Sequence, residues 1–85
     1  MKFYTITEMV SNDMESFMTT NNHLKDLDEA ISMFHTRRHM LLQTPGIRII
    51  KDDYSEEYDH DWGLVKVMLE NGVTIEIAMM GVELV

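Results

Sequence analysis

His35 and His39 stand four apart in a stretch of helical character, a spacing that brings two imidazoles to one side of a helix, where they can share an ion. Asp28 and Ser32 fall near the same edge of the helical wheel, and His60, far along the chain, is a candidate third nitrogen. No HExxH accompanies them, so the ordinary reading is a solvated helix flank and the metal site is a secondary alternative. Asp59, Asp61 and Gly63 alternate as calcium ligands do. An EF-hand loop, however, needs its glycine one place later and a bidentate acid where Glu70 lies inside a turn signal. There is no cysteine, no GxSxG and no glycine-rich phosphate loop. The adjacent acids Asp52-Asp53 and Glu56-Glu57 sit in an open polar segment rather than the apolar cleft that acid–base work requires. The expectation is a protein with no catalytic residues and no cofactor.

The most distinctive stretch is residues 52–62, DDYSEEYDHDW. It holds six of the fifteen acids (Asp52, Asp53, Glu56, Glu57, Asp59 and Asp61), interleaved with Tyr54, Tyr58 and Trp62. Without those six, nine acids face seven bases and the formal charge falls from -8 to -2. The segment is longer than a connection between two strands requires. One reading is a solvated connection whose tyrosines or tryptophan fold back to cap the core. The preferred reading is a contact surface for a partner protein, in which aromatics anchor and carboxylates steer association with a basic surface.

Two features of the helical stretch are also candidates. Arg38 falls in the middle of the apolar stripe, where such a residue lays its stem over the core or pairs with a carboxylate of a neighbouring strand; a ligand-binding arginine is the alternative. Met33 and Met40, seven apart and opposite the stripe, form a second apolar track, read as a homodimer contact. The outer face of the sheet, with Leu64, Met68, Ala78 and Met80 around Lys66 and Glu76, is likewise more apolar than water favours.

The chain of 85 residues is long enough for one domain, which buries only about 60 to 65% of its unfolded surface in a single two-layer core. The absence of cysteine removes disulfides and thiolate metal sites and suits a reducing cytosol. A charge of -8 speaks against direct contact with nucleic acid or an anionic membrane, because such binding draws its affinity from lysine and arginine against phosphate. No apolar run approaches a membrane span, and Met1-Lys2 leads into FYTIT rather than a signal-peptide core, so a cytoplasmic protein is expected. In size, charge and lack of catalytic residues the chain resembles small acidic proteins of phages and mobile elements that block a nucleic-acid-binding enzyme by occupying its basic groove. That resemblance implies a non-catalytic inhibitor. The rival readings are a homo-oligomeric structural subunit whose acidic segment is only solubilising, and a small metal-binding protein using His35 and His39.

The elements that must carry these groups follow from periodicity. Residues 63–80, GLVKVMLENGVTIEIAMM, are two β-rich runs around Glu70-Asn71-Gly72. A two-residue turn would mix the faces. A three-residue turn with Gly72 in the left-handed position pairs Leu69 with Val73, Val67 with Ile75 and Val65 with Ile77, making one face apolar and opposing Lys66 to Glu76 on the other. Residues 2–10 and 14–20 read as a second hairpin around Ser11-Asn12-Asp13, the competing view being a short helix capped by Asn12. Leu24, Leu27, Ala30, Ile31, Phe34, Leu41 and Leu42 cluster on about a third of a helical circumference, predicting a helix over 24–42 with Asn22 as N-cap and Thr44-Pro45-Gly46 as its stop. Residues 47–51 read as a third strand, and Gly81 as a kink before a last segment that pairs at a sheet edge. The predicted fold is α+β, ordered β-β-α-β-β-β: an antiparallel sheet of about five strands with one long amphipathic helix across one face.

Overall fold

The computed structural model describes residues 2–54 and 62–83. They form β1 (Lys2–Ser11), β2 (Ser16–Leu24), α1 (Leu27–Leu42), β3 (Arg48–Asp53), β4 (Trp62–Met68) and β5 (Thr74–Glu83). The five strands make one antiparallel sheet in the order β2-β1-β5-β4-β3, and the helix packs on one face. It connects β2 to β3, and so carries the chain from one sheet edge to the other.

The β4–β5 hairpin has the three-residue turn and the register expected of it: Val65 opposes Ile77, Lys66 opposes Glu76 and Val67 opposes Ile75. The Leu69 N–H donates to the Val73 carbonyl at 2.8 Å, and the Gly72 N–H donates to the Leu69 carbonyl at 3.0 Å. Gly72 has φ +85, a conformation that costs glycine little and any other residue more. The first hairpin also forms. Asn12 caps, as the competing view required, but within a hairpin loop: its Oδ1 accepts from the Met14 and Glu15 N–H groups, both at 2.8 Å. An Asx turn of this kind satisfies the backbone at the reversal, and strand pairing then takes over at Ser11 and Ser16.

Several boundaries differ from the sequence reading. Strand β2 runs on to Leu24, because Asn22 and Leu24 pair with Ile6 and Tyr4 of the long β1. The helix therefore starts at Leu27, with Asp26 and not Asn22 as N-cap; its side chain accepts from the Asp28 N–H at 3.1 Å. Strand β3 covers Arg48–Asp53, so Asp52 and Asp53 belong to the sheet rather than to the segment after it. Gly81 does not kink the chain to an edge: β5 continues through it to Glu83 in the middle of the sheet, with Gly81 opposite Tyr4 and Val82 opposite Phe3. Ten consecutive partners in β1 hold it there.

The core joins Val65, Val67 and Ile77, expected on the inner face, to Tyr4, Ile6 and Met79, with Ala30, Phe34 and Leu41 from the helix. Leu27, Ile31 and Ile75 are half-buried against it. Phe34, fully buried, lies over Gly63 so closely that a Cβ there would come within 2.8 Å of its ring. That contact lets the helix approach β4. Among the described residues no helix is long and apolar enough to cross a membrane.

Candidate protein-interaction site

The acidic segment leaves the sheet at its β3 edge and returns into β4, so its two ends are held by neighbouring antiparallel strands. Of the residues predicted to bind a partner, Glu56, Glu57, Tyr58, Asp59 and Asp61 lie outside the described residues, as does His60. The other four are divided between the two faces of the sheet.

Asp52 opposes Val65 and points to the helix side. There Arg38 grips it with both arms of the guanidinium: Nε to Oδ1 at 2.9 Å and Nη2 to Oδ2 at 2.6 Å. A planar fork on a carboxylate is the strong form of an ion pair. Neither side chain is more than about a quarter exposed (17% and 24%). Arg38 thus sits in the apolar stripe because a strand carboxylate waits for it, one of the two ordinary outcomes expected from sequence. The same guanidinium lies 5.3 Å from the centre of the Tyr54 ring, and Tyr54 meets Phe34 edge-on at 4.9 Å. Tyr54 is therefore committed to closing the end of the core.

Asp53 and Trp62 belong to the outer face. Asp53 opposes Leu64 and meets the exposed Lys51 at 3.3 Å. Trp62 opposes Met80 in β5 and is half exposed. Tyr54 and Trp62 bracket the acidic segment on opposite sides of the sheet and do not form one aromatic patch. Asp52 is thus paired with Arg38, and Asp53 lies beside Lys51.

The helix candidates separate similarly. Met33 packs on the core, while Met40 is 67% exposed. Both line a shallow groove of about 750 Å³ between α1 and β2, with Leu24 at its end and Asp28 and Glu29 on its rim. Arg37 borders the groove and ties helix to edge strand, donating to Thr20 at 3.2 Å and Asn22 at 2.8 Å. His35 and His39 stack with ring centres 6.5 Å apart and planes 4° from parallel. The His39 Nε2 is 2.9 Å from the Gln43 side-chain nitrogen. Among the described residues no three His, Asp or Glu side chains are grouped to hold an ion. A calcium loop over 59–70 is incompatible with the structure, since Trp62–Met68 is strand and Glu70 belongs to the hairpin turn.

The sequence reading missed what β1 contributes to the outer face. Phe3 opposes Val82 and Thr5 opposes Met80, extending the apolar surface around Trp62 from both ends of the chain. Only the strand order, which sets β1 beside β5, puts Thr5 opposite Met80 and Phe3 opposite Val82.

The class that fold and site define is a small α+β sheet-and-helix domain with an acidic segment at one sheet edge. No protein-family model matches the chain, and neither the curated proteins nor the solved structures compared with it give a significant match.

Proposed function

We propose that this chain is a non-catalytic binding protein whose acidic segment engages a basic surface of a protein partner, in the manner of an inhibitor that covers a nucleic-acid-binding site. The observation that carries the reading is the concentration of charge. Six of the chain's fifteen acids fall within residues 52–61, and among the described residues Asp52 meets Arg38 and Asp53 meets Lys51. Four carboxylates within six consecutive positions repel one another. Such a concentration of charge attracts a lysine- and arginine-rich surface and speeds its encounter.

The test is capture on the immobilised chain from a lysate of the native host, with bound proteins identified by mass spectrometry. The comparison is a variant carrying Glu56→Gln, Glu57→Gln, Asp59→Asn and Asp61→Asn. A basic protein retained by the parent, lost by the variant and released by salt supports the proposal. Retention of the same proteins by both would reduce the segment to a solvated connection.

A further inference from the structure

Among the described residues, which span 41 × 28 × 15 Å between Cα extremes, one helix layer lies on one sheet layer and no described element covers the second face of the sheet. We infer that this outer face is the contact between two copies of the chain, related by a two-fold axis. The inference is independent of the acidic segment and of the partner proposed for it.

The first argument is apolar content. Trp62 and Met80, 50% and 60% exposed, face each other across β4 and β5, with Phe3, Val82 and Leu64 half-buried around them. Together they make an apolar corner of the kind that marks a contact. The second argument is charge. The charged side chains on the outer face of the described strands are Arg48, Lys51 and Lys66 against Asp53 and Glu76. Three bases and two acids sum to +1, on a chain whose total is -8. Two copies meeting here bring no excess of the described acids together, whereas the helix side carries Asp28 and Glu29 on its groove and Glu8 beside it.

The third argument is self-complementarity. A two-fold axis sets residue i of one copy against j of the other and j against i. Lys66 and Glu76, directly opposed across β4 and β5, then meet Glu76 and Lys66 of the second copy. The area is that of a weak dimer. Five strands of six to ten residues, about 4.8 Å apart and rising about 3.3 Å per residue, make a face of roughly 24 × 28 Å, or about 670 Å² before side-chain relief. A stable interface uses about 800 Å² per partner, so the whole face must close and the dimer dissociates in the micromolar range. Facing sheets pack in this way about 10 Å apart.

The experiment is sedimentation equilibrium on the whole chain from about 1 to about 500 μM, a range that brackets a micromolar Kd, with emission of the single tryptophan, Trp62, followed on dilution. The mass is expected to approach twice the 10.0 kDa of one chain, and Trp62 emission to shift to the red as the dimer dissociates. Met80→Lys should weaken association at least about tenfold without touching the core, because it places a charge in the apolar corner. Met40→Lys on the helix side should leave it unchanged. Lys66→Glu should weaken it, and Lys66→Glu with Glu76→Lys should restore it. Salt should strengthen the dimer, since it screens the repulsion of two chains at -8, whereas it weakens binding of a basic partner. A monomer at every concentration overturns the inference, as does a dimer lost in Met40→Lys but kept in Met80→Lys.

Discussion

Replacing Asp52 by Asn should destabilise the fold, although from sequence Asp52 is one of several acids whose removal relieves repulsion. In the structure Arg38 grips its carboxylate through two hydrogen bonds of 2.6 and 2.9 Å. Asn keeps the size but surrenders the charge and one of the two acceptors that face this guanidinium, itself 17% exposed. An exposed pair contributes about 0 to 1 kcal/mol, and stripping one partner from a fully buried pair costs about 3 to 5 kcal/mol. With both side chains partly covered, a loss of about 1 to 2 kcal/mol is expected. For a domain of this size each kcal/mol moves the midpoint by about 4 to 8 °C, so thermal unfolding followed by circular dichroism should show a fall of roughly 5 to 15 °C. Asp53→Asn is the control. Its partner Lys51 is 55% exposed, and its loss should cost less than about 0.5 kcal/mol. A double-mutant cycle with Arg38→Met should return a coupling of about 1 kcal/mol between positions 38 and 52. Equal midpoints for Asp52→Asn and Asp53→Asn, or no coupling to Arg38, would refute the account of why an arginine lies in the apolar stripe.

Other outcomes follow from the same geometry. Gly63→Ala should cost about 1 to 3 kcal/mol, because its Cβ would lie 2.8 Å from the Phe34 ring in a packed core; a neutral effect in chemical denaturation would show that the helix stands farther off. Gly72→Ala should cost about 1 kcal/mol through its left-handed backbone, with nothing in the space around it to clash, and nuclear Overhauser contacts should pair Val67 with Ile75 in both proteins. Zinc titrated against the parent and the His35→Ala, His39→Ala variant should bind weakly and equally; tight binding lost in the variant would revive the metal reading. The four-site variant of Glu56, Glu57, Asp59 and Asp61 should be as stable as the parent or more so, since the substitutions relieve repulsion.

The hairpin at β4 and β5 was legible because its constraints agree. An Asn-Gly turn, period-two alternation and a Lys66–Glu76 pair together allow one register, and a slip would put Val65 and Val67 in water. The start of the helix was not legible, because Asn21 and Asn22 carry capping chemistry and yet are held in β2 by Ile6 and Thr7. Pairing with a distant strand overrode local preference. The end of β3 was hidden for a related reason: two aspartates read as loop, but an edge strand tolerates charge, and Arg38 lies fourteen residues back, on an element whose placement no local pattern reveals. The acidic character of the site was plain in the composition. That Tyr54 turns to the core and Trp62 to the opposite face was not, because seven residues separate them and the strand parity does not carry across. The outer apolar corner depends most on topology, since Phe3 and Val82 meet only once β1 and β5 are neighbours.

The central claim is that the carboxylates of residues 56–61 steer a basic protein onto this chain. Stopped-flow association with the captured partner, measured for the parent and the four-site variant over a series of salt concentrations, tests it directly. The account predicts that at low salt the variant associates at least about tenfold more slowly, while dissociation changes little, and that the two rates converge as salt screens charge over about 8 Å. If the variant associates as fast as the parent at low salt, the acidic segment does not steer the partner, and the claim fails.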